Sequence, residues 1–162
     1  MDREETCLMS IHTITKTLFF EASPQTVWAF LTEKDKISQW FMPADVDMTV
    51  GQDYHLTSKN DDGTEECGCW GKVLSADPYT RLVQTFAVKP FREGAFSTLV
   101  WTLEELDGGT KLTLQHEGVV EAMEGASLPI FMSLDKGWDG FFVNIRGILN
   151  ASAEEEQKRD VA

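Results

Sequence analysis

The stretch Lys136-Gly137-Trp138-Asp139-Gly140-Phe141-Phe142 constrains this chain more than any other. It sits in a segment whose apolar residues recur at helical spacing. At about 100° per residue, with Trp138 as reference, Ile130, Phe131, Leu134, Phe141, Phe142, Ile145, Ile148 and Leu149 fall within an arc of roughly 120°. Asp135, Asp139 and Arg146 lie along one flank, Lys136 and Asn144 further round. Such a helix has one aromatic face that must be buried against another layer. Its glycines work against it, since each weakens a helix by roughly 1 kcal/mol relative to alanine. Gly137 borders the apolar arc, where it would allow a close backbone approach. Gly140 and Gly147 lie nearly opposite, where only weak local helix stability accounts for them.

The layer opposite the helix is predicted to be a sheet. Residues 11–20 (IHTITKTLFF) are rich in β-branched and aromatic side chains and read as a strand. Ser23-Pro24 is an N-cap followed by proline at the first helical position, and Val27, Phe30 and Leu31 continue at helical spacing to about residue 32. A second short helix runs from Lys34 to Trp40, before Pro43. Strands are then predicted at about 45–48, 53–59, 66–76, 80–88, 95–106 and 110–117. They are separated by turn signals at Asn60-Asp61-Asp62-Gly63, Asp77-Pro78 and Asp107-Gly108-Gly109. Leu99, Trp101 and Leu103 alternate on one strand, Leu112, Leu114 and His116 on the next, and the two sets point the same way across an antiparallel pair. A segment at 118–129 leads to the last helix. The reading is a single α+β domain over residues 1–162, with an ordered core at about 11–151, a loose start at 1–8 and a polar tail at 152–162.

A net charge of -13 argues against nucleic acid or an anionic membrane surface as partner, because the phosphate field repels it. No apolar run reaches the length of a membrane span, and the start lacks the pattern of a secretory signal, so a cytoplasmic location is expected. Cys67 and Cys69, two apart on a predicted strand, are expected on one face as structural thiols. Cys7 and three scattered histidines are the only other likely donors, so neither a metal nor a cofactor is expected. The cluster Asp61-Asp62-Gly63-Thr64-Glu65-Glu66 lacks calcium-loop spacing and reads as a solvated hairpin tip. Glu154-Glu155-Glu156 with Lys158-Arg159 reads as a solvated helix end.

Four stretches, in order, resemble a known family. FFEASPQTVWAFLTEKDKISQWFMP is similar to its strand, proline-started helix and tryptophan element, and GKVLSADPYTRLVQTF to a glycine-led strand, Asp-Pro turn and returning strand. STLVWTLEELDGGTKLTLQHEGV resembles its penultimate hairpin and GWDGFFVNIRGIL its final helix. The family is the AHSA1-type (activator of Hsp90 ATPase) branch of the START/Bet v1-like (SRPBCC) superfamily, and the resemblance covers roughly residues 11–150. It implies a helix-grip fold, a seven-stranded antiparallel sheet wrapped around a long C-terminal helix with a hydrophobic cavity between them. It does not choose a function, since such folds host carriers, cyclases and a co-chaperone domain.

Trp40, Trp70, Phe86, Trp101, Phe131, Trp138 and Phe142 either line such a cavity or fill it as core, with Leu99, Leu112, Leu114 and Leu134 completing the walls. Gln84 alternates inward with Leu82 and Phe86, and a buried unpaired amide costs roughly 1–3 kcal/mol, so it needs a partner. His116 points inward, as a general base or as a satisfied core histidine; the facing of His55 is open, and His12 reads as a surface residue. The leading expectation is a protein that binds a hydrophobic or amphipathic small molecule between sheet and helix. The alternatives are an Hsp90 co-chaperone-like interaction module and a cyclase or dehydratase relying on His116. An exposed apolar patch near Val119 and Val120 is where a homodimer would form.

Overall fold

The first helix starts as its residue types dictate. The Ser23 hydroxyl accepts the Thr26 N–H at 3.3 Å, and Pro24 occupies the first turn. Around it the computed structural model describes residues 11–89, 91–123 and 128–161, and for 151–161 the backbone only. The elements are β1 (Ile14–Phe20), α1 (Pro24–Thr32), α2 (Lys34–Trp40), β2 (Asp53–Lys59), β3 (Glu65–Asp77), β4 (Arg81–Val88), β5 (Ser97–Leu106), β6 (Gly109–Glu117), α3 (Val119–Met123) and α4 (Leu128–Val161). The strands form one antiparallel sheet in the order β1-β6-β5-β4-β3-β2.

The alternation read from the sequence sets the core. Leu99 pairs with His116, Trp101 with Leu114 and Leu103 with Leu112 across β5 and β6, and all six are buried. On the other side of β5, Gln84 faces Leu99 and Leu82 faces Trp101. Trp138, Phe142, Ile145 and Leu149 of α4 lie buried in the same cluster, with Phe131, Leu134, Phe141 and Ile148 half-buried around them. α1 and α2 complete the cluster through Val27, Phe30, Leu31, Ile37 and Trp40. The Trp40 indole donates to the Phe30 carbonyl at 2.8 Å and the Asn144 amide to the Trp40 carbonyl at 3.2 Å, joining α1, α2 and α4. Gly71 lets β3 and β4 approach closely, because a Cβ there would lie 2.0 Å from the Thr85 carbonyl oxygen.

Several expectations are corrected. Among the described residues the sheet has six strands rather than seven, because residues 45–48 do not form one. The chain pairs with β2 through an isolated bridge between Ala44 and Leu56. Thereafter side chains take over the hydrogen bonds a ladder would make: the Asp45 carboxylate accepts the His55 N–H at 2.8 Å, and that of Asp47 accepts the Lys34 N–H at the start of α2. β1 begins at Ile14, three residues later than read. The β2–β3 register skips Gly68, and this bulge leaves Cys67 exposed and Cys69 buried instead of sharing a face. α4 begins at Leu128 and continues to Val161, past the expected end near 151, because residues 151–161 contain neither glycine nor proline to stop it. Gly137 makes no close approach; a Cβ there, as at Gly140 and Gly147, would meet nothing within 4 Å. Val119 is buried with Ala87, Phe91 and Ala122 in a second small core, so it is not part of an exposed patch. The loose start at 1–8, with Cys7, lies outside the described residues.

Candidate functional site

His116 sits at the middle of a hydrogen-bonded chain from sheet to helix. An indole N–H can only donate, so Trp138 Nε1, 3.1 Å from His116 Nδ1, assigns that nitrogen as acceptor. The neutral ring then carries its proton on Nε2, which donates to Ser97 Oγ at 2.7 Å, and Ser97 donates to the Phe86 carbonyl at 2.8 Å. Both His116 and Ser97 are fully buried, and burial pushes the imidazole pKa down to about 4. Phe86 and Trp138 stand edge-on to the ring. A general base needs a free lone pair; here one nitrogen is protonated toward Ser97 and the other is taken by Trp138. His116 is held as a neutral tie between β5, β6 and α4.

Gln84 has the partner its position demanded. Its Oε1 accepts the Trp101 indole N–H at 3.2 Å. Tyr54, also fully buried, donates its hydroxyl to the Thr85 carbonyl. Burial holds the Tyr54 phenol above its ordinary pKa against the opposing hydrogen bond with Gln84. Burial likewise pushes the Cys69 thiol up to about 12, so it is inert at neutral pH.

The sequence-predicted site residues fall into three places. Trp40, Gln84, Phe86, Leu99, Trp101, Leu112, Leu114, His116, Trp138 and Phe142 converge under α4, each at most 5% exposed. Their rings interlock: Trp138 stacks on Phe142 at 5.7 Å between centroids, and Trp101 meets Trp138 edge-on at the same distance. The void left beside Trp40, Gln84 and Trp101 is about 10 Å³, at the limit for a single water. Trp70 is half-buried and packs against the second small core. Phe131 and Leu134 are half-buried on α4, between the two cores.

Phe131 also lines a much larger space that the sequence reading missed. A groove of about 570 Å³ runs between Ile11–Thr15 on one side and Leu128, Phe131, Met132 and Asp135 on the other. The four α4 residues follow helical i, i+3, i+4, i+7 spacing, so they form one stripe. Ile11 and Leu128 are each 72% exposed and Met132 62%, an unusual cost for three large apolar side chains around one groove. His12 stacks on Phe131 with centroids 5.9 Å apart. At the groove's end the Lys16 ammonium bonds Asp135 and, at 3.0 Å, Asp139. Lys16 alternates with buried Ile14 and Leu18 on β1, so it faces the helix, and that parity was the available signal. Burial works to lower its pKa; the bonds and charges of the two aspartates outweigh it, and the pKa is raised.

His55 faces solvent and pairs with Asp45 at 2.9 Å. Among the described residues no three His, Cys, Asp or Glu side chains are grouped to hold a metal ion, and no helix is long and apolar enough to cross a membrane.

Comparisons place the chain among known proteins. No curated protein matches it. Among solved structures it is similar to protein MLL2253 from Mesorhizobium loti (TM-score 0.70, 21% identity, 86% of this chain and 97% of that one). It is similar to PFC0360w, an HSP90 activator from Plasmodium falciparum (TM-score 0.70, 19% identity, 85% and 96% of the chains). It is also similar to CalU16 from Micromonospora echinospora (TM-score 0.66, 19% identity, 91% and 82% of the chains). At these identities the likeness is one of fold. The sequence model of the family described as "Activator of Hsp90 ATPase homolog 1-like protein" matches residues 21–150, and the chain belongs to that family.

Proposed function

We propose that this protein binds an amphipathic, largely apolar small molecule in the groove between Ile11–Thr15 and the first turns of α4. The observation that carries the reading is the groove itself: about 570 Å³, with Ile11 and Ile14 on one wall and Leu128, Phe131 and Met132 on the other, within the range of about 300–1,000 Å³ that small-molecule sites occupy. The interlocked rings beneath α4 serve as its rigid backing. Phe131 joins that backing to the groove, and Trp138 and Phe142 keep the helix in place.

Thermal stability against a panel of fatty acids, sterols, flavonoids and aromatic polyketides tests this. A compound present at 100 times its dissociation constant adds about 2.7 kcal/mol. The shift is expected to vanish in Met132→Glu, a change on an exposed position that leaves the core intact, and to persist in Val143→Ser on another exposed part of α4. A shift that survives Met132→Glu, or no shift with any compound, would overturn the reading.

A second reading, an Hsp90 co-chaperone-like module, draws on the description of the matching family model and on the fold shared with the Plasmodium falciparum activator. It expects Hsp90 to be retained by the immobilised protein and its ATPase rate to rise. A cyclase or dehydratase built on His116 finds no support in a ring whose two nitrogens are both engaged.

A further inference from the structure

We infer that the groove selects an amphipathic amine over a carboxylate of the same shape. This rests on the groove being the binding site and names the class of its ligand. The lining consists of Ile11–Thr15, Leu128, Phe131, Met132 and Asp135, and Asp135 is the one carboxylate among these residues. Among the described residues no lysine or arginine lines the groove, and the Lys16 ammonium at its end is already held by Asp135 and Asp139.

The Lys16 ammonium lies beside the groove, and two carboxylates share it. One positive charge against two negative leaves this end net negative. Lys16 is only 19% exposed at its side chain, whereas Asp135 is 56% and Asp139 62% exposed. The cation is thus turned into the helix flank and the carboxylates remain accessible to an incoming N–H. Asp135 accepts Lys16 through Oδ1, and an ionised carboxylate has capacity for further donors on its second oxygen.

The body of the ligand meets a flat surface. Phe131, with His12 stacked on it at an interplanar angle of 27°, offers an aromatic platform, and Leu128 and Met132 offer adaptable apolar contact. An ammonium group near such rings is attracted by their faces, while a carboxylate is not. The whole chain acts in the same direction, since a net charge of -13 draws cations toward the surface and slows anions.

Binding of 1-naphthylmethylamine, 1-naphthylmethanol and 1-naphthoate to the full chain, followed by amide NMR and calorimetry, tests the inference. At low ionic strength the amine is expected to bind about tenfold tighter than the carboxylate, with the alcohol between them, as one half-exposed ion pair gained and one repulsion avoided would give. High salt is expected to bring the three together. Asp135→Asn is expected to cut the amine's advantage over the carboxylate to about threefold or less, and Asp139→Asn to reduce it by a smaller amount. A carboxylate that binds as well as the amine, or an advantage that Asp135→Asn leaves intact, overturns the selection and leaves the groove standing. If none of the three moves the resonances of Ile11–Thr15 and Leu128–Asp135, the groove reading falls with it.

Discussion

The indole of Trp138 and the imidazole of His116 share one hydrogen bond, and one contribution to the molecule's behaviour in acid follows from the burial of that imidazole. The folded imidazole has a pKa of about 4, below the ~6.5 of a histidine in an unfolded chain. As pH falls the unfolded chain takes up the proton first. The contribution to stability is therefore complete above about pH 6.5 and is lost as pH falls toward 4, by ~3 kcal/mol in all. Protonation of Nδ1 would also set two donors, His116 and Trp138, against each other. Chemical denaturation at pH 7, 5.5 and 4.5 is expected to show this loss. In His116→Gln the slope should flatten, because glutamine can accept from Trp138 and donate to Ser97 without titrating. Gln84→Leu should cost about 1–3 kcal/mol by urea denaturation, since it leaves the buried Trp101 N–H without its acceptor.

At the level of elements, α4 is held by its apolar face more than by its intrinsic helicity. Three exposed glycines on it touch nothing a methyl group would disturb. Gly140→Ala and Gly147→Ala are each expected to raise stability by up to ~1 kcal/mol, nearly additively, in thermal or urea denaturation. Gly71→Ala is the opposite case. With the Thr85 oxygen 2.0 Å from the new methyl, β3 and β4 must part, and a loss of about 3 kcal/mol or more is expected, or no folded protein at all. The contrast explains what the sequence could convey about these elements. Periodicity located α4 and the β5–β6 pairing, because burial on one face leaves a pattern in residue type. It was silent on Gly68 and Gly71, where a bulge and a close approach depend on the neighbouring strand. It also misread residues 45–48, whose aspartates satisfy backbone groups with side chains and so look like strand only in composition.

For the whole molecule, one sheet and one helix close on a core of interlocked rings, with a void of about 10 Å³ beside Trp40, Gln84 and Trp101, and the groove lies beside β1. Most of the candidate residues named from the sequence were legible as a set, since inward parity and helical phase mark them as one interior. Whether that interior is cavity or core depends on side-chain volumes meeting across the sheet–helix gap, which no pattern in one element encodes. The groove was illegible for a related reason: its two walls come from residues more than a hundred positions apart, and its mark is exposure of apolar side chains, not a motif. The central claim is that ligand binds in this groove while the ring cluster stays closed. The most direct test is an amide and indole NMR titration of the full chain with 1-naphthylmethanol, whose neutral head removes any electrostatic contribution. The expected result is progressive movement of the Ile11–Thr15 and Leu128–Asp135 amides with the Trp40, Trp101 and Trp138 indole signals unmoved. Movement of those indoles with the groove amides still would put the ligand inside the ring cluster and contradict the account.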